Sequence, residues 1–166
     1  MGKGGRPFKV HEDLVQISSA VELEDLNTIK SLVKNHGIDA YDPDKRTLLI
    51  WAAFYNKLAL LNWLIEHKAH VNQQDKSGYT GLHFATQEKN EEVIRLLLTN
   101  HADPNLIDSH GNSPLWTAIF NAKGDFEIVK LLMSSGADPQ HKNKYDRSPD
   151  DMAKSIYGKE INELIK

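Results

Sequence analysis

The chain has 166 residues, 20 Lys and Arg against 23 Asp and Glu, a net charge of -3 and no cysteine. That length suits one domain with a buried core. The charge balance argues against general DNA or RNA binding, and the missing thiol excludes disulfides, Cys-bearing zinc sites and Cys nucleophiles.

In chain order, Met1 to Lys9 holds Gly2, Gly4, Gly5 and Pro7 with the cations Lys3, Arg6 and Lys9. This composition predicts a disordered basic tail over residues 1–10. No apolar secretory segment is visible, and Arg6 stands where a myristoylation signal wants Ser or Thr. No apolar run reaches the roughly 18 residues of a membrane span, so the expected location is the cytoplasm.

Residues 11–166 read as one domain of repeated units. Thr47-Leu48-Leu49, Thr80-Gly81-Leu82, Ser113-Pro114-Leu115 and Ser148-Pro149 recur at steps of 33, 33 and 35. Ala69-His70-Val71-Asn72, Ala102-Asp103-Pro104-Asn105 and Ala137-Asp138-Pro139-Gln140 recur at 33 and 35. Leu64-Ile65, Leu97-Leu98 and Leu131-Leu132 form a third series. Self-similarity at one period defines a repeat architecture, with units of about 11–41, 42–74, 75–107, 108–142 and 143–166. The first keeps only Ile29, Leu32, Val33 and Gly37-Ile38-Asp39 and reads as a divergent cap. The last is a shortened cap. The two extra residues of the fourth unit fall at Asn121 to Asp125, where the second half of the surface is expected to bend or carry a longer tip.

Each unit carries the signals of two helices. Thr47, Thr80, Ser113 and Ser148 sit where a hydroxyl caps a first helix, and Pro114 and Pro149 suit its first turn. Gly78 and Gly111 allow a tight turn ahead of it. Ala52, Ala53 and Ala85 are small, as a close helix crossing requires. Ile94, Leu97 and Leu98 mark one face of a second helix, and Gly136 suits a left-handed helix stop. At the matching stops stand Lys68 and His101, and between helices Asn56 and Lys89. A non-Gly residue in that conformation costs roughly 1 kcal/mol.

The clearest unit, DKSGYTGLHFATQEKNEEVIRLLLTNHADPN from Asp75 to Asn105, resembles the ankyrin repeat, with its T-P-L-H-x-A motif and 33-residue period. The resemblance covers nearly the whole chain. It implies an all-α solenoid of about five stacked helix-turn-helix units joined by hairpin-like loops. Ile50 and Trp116 then replace the motif His, and His83 keeps it in a structural role.

Motifs for chemistry are absent. His11-Glu12 is followed by Val15, so no H-E-x-x-H helix exists. His67 and His70, His101 and His110 do not converge by spacing. No phosphate loop or G-x-S-x-G turn occurs. Asp150-Asp151 and Glu91-Glu92 read as helix-start acids that favour the macrodipole. The reading is a non-enzyme with no metal and no cofactor. A metal-dependent regulator using the His residues is the weaker alternative. Nucleic-acid binding by Lys142, Lys144, Arg147 and the tail is another, opposed by the acidic remainder of the chain.

The resemblance further implies protein binding through hairpin tips and the exposed face of the first helices. Those positions hold Tyr41, Asp44, Arg46, Lys76, Tyr79, His110, Asn112, Tyr145 and Arg147 at the tips, and Phe54, Tyr55, Gln87, Glu88, Phe120 and Asn121 on the helices, with Ser155 and Ile156 in the last unit. Aromatics and Arg dominate protein interfaces, and six of the 13 aromatics fall here. Trp51, Trp63 and Trp116 are assigned to packing. The implied function is that of a monomeric interaction module inhibiting a protein partner by occlusion. The fourth unit, GNSPLWTAIFNAKGDFEIVKLLMSSGADP, is similar to small bacterial ankyrin proteins, including immunity proteins that neutralise a toxin. An inhibitor or adaptor of the eukaryotic type, acting on a kinase or transcription factor, is the alternative.

Overall fold

The computed structural model describes residues 12–166. The basic tail over residues 1–10 lies outside them. After a 3-10 turn at Glu12–Gln16 come five helix pairs: α1 (Ile17–Glu22) with α2 (Leu26–His36), α3 (Leu48–Phe54) with α4 (Leu58–Glu66), α5 (Gly81–Gln87) with α6 (Glu91–Thr99), α7 (Pro114–Asn121) with α8 (Glu127–Ser134), and α9 (Pro149–Tyr157) with the short α10 (Ile161–Leu164). No strand forms among the described residues; Tyr41 and Thr47 make an isolated antiparallel bridge. No described helix is long and apolar enough to cross a membrane.

The first helices stack in sequence, α1 on α3, α3 on α5, α5 on α7 and α7 on α9. Leu48, Leu49, Leu61, Leu64, Leu82, Ile94, Leu97 and Leu115 are fully buried between them and the second helices. Ala52, Ala53 and Ala85 are buried where α3 meets α5. One pair alone leaves its apolar face in water, so the stack is the folding unit.

Helix starts follow the hydroxyl pattern with one exception. Thr47 accepts the Ile50 N–H, and Thr80 and Ser148 form capping boxes with His83 and Asp151. Ser113 makes no cap bond, and its buried hydroxyl has no protein partner. Trp116, three residues on, carries no acceptor to complete a box. Asp150 does more than favour the helix dipole: its buried carboxylate accepts the Ile161 N–H at 2.9 Å and so fastens α10.

The left-handed positions fall where the repeat period places them. Gly136 (φ 88), Lys68 (φ 69) and His101 (φ 66) end second helices, and Asn56 (φ 56) and Lys89 (φ 57) join first to second. Lys45 (φ 61) and Asp146 (φ 56) take the same place in their hairpins as Gly78 and Gly111.

Hairpins are ordered within and between units. Asp42, Asp75, Asp108 and Asn143 each accept two backbone N–H groups of their own tip. Backbone bonds from Lys76 to Asp44, Ser109 to Ser77 and Lys144 to His110 tie each tip to the one before. On the other loop, Asn72 donates to the His101 carbonyl and accepts the Asp103 N–H, and Asn105 does the same with Gly136 and Asp138. Hence these Asn side chains bridge units as well as turn the chain. The two extra residues lengthen the α7–α8 loop rather than a hairpin tip. Tyr157 secures that loop, accepting from the Lys123 N–H and donating to the Ile119 carbonyl.

Candidate functional site

The surface formed by the hairpins and first helices has two halves. In the second and third units the aromatic side chains pack on one another. Trp51 stacks on Tyr55, and Phe54 meets Trp51, Tyr55 and Phe84 edge-on. Tyr79 lies against His83 and Phe84. Arg46 covers this cluster, its guanidinium 5.2 Å from the centres of Trp51 and Phe84 and its Nε 3.1 Å from the buried Asp75 carboxylate. The Tyr55 hydroxyl is 3.0 Å from Ser18 Oγ in the first unit. Of the sequence candidates, Arg46, Tyr55 and Asn112 thus have structural partners; Asn112 lies 2.8 Å from the Asn143 amide.

Burial sets the chemistry of this half. His83 is pushed down to about 4 by desolvation. Its Nδ1 accepts the Thr80 N–H, and its Nε2 lies 3.3 Å from the Asn112 carbonyl, which fixes a neutral ring with the proton on Nε2. The Tyr79 hydroxyl is raised by burial and by the Asp108 carboxylate beside it. Both groups stay uncharged at neutral pH. Among the described residues no group of three or more His, Asp or Glu side chains could hold a metal ion.

The fourth and fifth units are different. Trp116 and Phe120 are four apart on α7, Met152 and Ile156 four apart on α9, so each pair shares a helix face. With Tyr145 and Arg147 from the last hairpin they line an open cavity of about 330 Å³. Phe120 is 65% exposed, Tyr145 70% and Ile156 48%. Ser155 is on the same rim. His110 stacks on Tyr145 with ring centres 6.5 Å apart. Trp116, assigned to packing from the sequence, is half-buried and presents a face to this cavity. Its spacing from Phe120 was the available signal. Between the halves, Gln87 and Glu88 are exposed and Asn121 is half-buried. Tyr41, Asp44 and Lys76 are exposed along the tips.

A second apolar cleft lies between α2 and α4, lined by Leu26, Ile29, Leu60 and Trp63. Nothing in the sequence marked it.

Stacked helix pairs, inter-unit hairpin bonds and an apolar groove define a helical-repeat interaction module. The chain belongs to the ankyrin-repeat family: the family described as "Ankyrin repeats (3 copies)" matches residues 17–108 and 74–143. Similar proteins include an ankyrin repeat protein of Acanthamoeba polyphaga mimivirus, 26% identical over 138 residues that make up 82% of this chain and 18% of that protein. The palmitoyltransferase of Kluyveromyces lactis is 32% identical over 66% of this chain and 15% of its own length. The "Ankyrin repeat and SAM domain-containing protein 6" of Rattus norvegicus is 30% identical over 71% of this chain and 14% of its own. The chain therefore spans 18% or less of each of these relatives.

Proposed function

We propose that this chain acts by binding a protein partner in the groove of its hairpins and first helices, occluding a working surface of that partner without catalysing a reaction itself. One observation carries this reading. Phe120 and Tyr145, large apolar side chains, are 65% and 70% exposed and line one cavity. Exposed clusters of this kind mark interaction sites. We place the protein in the cytoplasm as a monomer when free.

A bacterial immunity protein neutralising a toxin is one narrower form of this function, and the viral, fungal and animal relatives named above give it no support. The adaptor form draws more from them, because the matching stretch occurs within a much longer palmitoyltransferase chain.

The test is affinity capture with the intact chain beside its Phe120→Asp/Tyr145→Asp variant. A stoichiometric protein held by the wild type and lost by a folded variant supports the reading. Its activity should fall when the purified chain is added. A protein retained equally by the variant overturns the groove assignment.

A further inference from the structure

We propose that the cavity of the fourth and fifth units recognises an extended segment of the partner carrying a large apolar side chain beside a carboxylate; this rests on the groove reading above. The chain itself shows what such a surface binds. Arg46 immediately precedes the capping residue Thr47, and Arg147 immediately precedes Ser148. The two arginines therefore occupy one place in the repeat.

Arg46 is satisfied from the following unit. Asp75 gives it a carboxylate at 3.1 Å, and Phe84 gives it a ring face, as does Trp51 of its own unit. Arg147 stands in the hairpin that opens with Asn143, and no described residue gives it the ion pair that Asp75 gives Arg46. Its side chain lies on the cavity rim and has no ion pair among those of the described residues. Met152 takes the place of Trp51, and a flexible thioether adapts to rings of different shape.

The acids nearby are already engaged. Asp146 pairs with Lys142 at 2.8 Å, and Asp151 accepts from the backbone and hydroxyl of Ser148. Lys144 is exposed on the same tip. The apolar cavity is thus bordered by the Arg147 guanidinium, which is near enough to Asp151 to help lower that carboxyl's pKa but forms no ion pair with it. A partner that supplies a carboxylate to Arg147 and an aromatic or aliphatic side chain to Trp116, Phe120 and Met152 would reproduce the contact that Asp75 and Phe84 make with Arg46. A basic segment would meet like charge.

The experiment pans a phage library of random dodecapeptides against the intact chain and measures the enriched peptides by fluorescence anisotropy. The expected peptides carry Phe, Trp, Leu or Met within two positions of Asp or Glu. Arg147→Glu should weaken them about tenfold or more, Phe120→Ala comparably, and added salt should weaken them further. Both sites are exposed, and unchanged circular dichroism and Tm would show that each variant folds. Enrichment of basic peptides, no enrichment, or affinity indifferent to Arg147→Glu overturns the proposal. Peptides that survive both substitutions but are lost on Gln87→Lys/Glu88→Lys sink this subsite while leaving the groove reading standing. Peptides indifferent to all of them count against both.

Discussion

Arg46 and Asp75 join the second unit to the third, the guanidinium Nε donating to a buried carboxylate 3.1 Å away while the same group lies over the rings of Trp51 and Phe84. Asp75 uses its other oxygen to hold the N–H groups of Ser77 and Tyr79. Removing Arg46 therefore leaves a buried carboxylate oxygen without its cation. Arg46→Ala should cost about 2 kcal/mol in urea denaturation. Arg46→Lys should recover little, since an ammonium cannot lie flat over the rings while donating sideways. Full recovery by Lys would show that charge alone matters there.

Phe54 and Phe120 hold equivalent places, seven residues after Thr47 and Ser113, yet their surroundings differ. Phe54 has edge contacts with Trp51, Tyr55 and Phe84, with ring centres 5.6, 5.0 and 5.7 Å away. Phe120 is 65% exposed. Phe54→Asp should lower stability by about 1–2 kcal/mol, whereas Phe120→Asp should leave the urea midpoint nearly unchanged and reduce partner capture. Equal midpoints for the two variants would contradict this division of the groove.

Gly78 and Gly136 both have positive φ, 81 and 88, but only one has a neighbour. A Cβ on Gly78 would stand 2.9 Å from the Asp108 Cα in the next hairpin, whereas one on Gly136 would meet nothing within 4 Å. Gly136→Ala should cost only the left-handed strain, about 1–2 kcal/mol. Gly78→Ala should cost more, because the backbone of the Asp75 hairpin must move away from that of the Asp108 hairpin. Thermal denaturation of the two variants side by side decides it, and the prediction fails if the Tm losses are equal.

The period of the sequence made the fold legible, down to the left-handed places of Lys68, His101, Asn56 and Lys89, because register alone fixes them. The site was legible only as a surface. Arg46 and Tyr55 do sit on the expected faces, but what they touch, Asp75 and Ser18, is 29 and 37 residues away. Register says which side of a helix a residue takes and is silent on whether a neighbouring unit reaches it. Trp116 illustrates the converse. It does pack against the core, as expected, and together with Met152 it also lines the open cavity. Ser113 shows the same limit at a helix start, where a capping residue type makes no cap.

His83 couples the stability of the stack to pH. Burial holds its folded-state pKa at about 4, below the 6.5 of an exposed imidazole. Above pH 6.5 neither the folded nor the unfolded ring is charged, so the shift has no effect. As pH falls from 6.5 towards 4, the unfolded state takes up a proton that the folded state does not, and stability falls. The full depression is worth on the order of 3 kcal/mol. Below the folded pKa both states are protonated and the loss levels off. His83→Gln can still place an acceptor near Thr80 but does not titrate. Urea titrations of both proteins between pH 7.5 and 4 (about the range of the shift) should show the variant less stable at neutral pH, because it loses the bond to the Asn112 carbonyl in the next hairpin. The gap should narrow steadily as the pH drops, since the carboxylates titrate alike in the two proteins. A gap that stays constant across this range would mean that His83 is not the buried neutral ring that ties the third unit to the fourth.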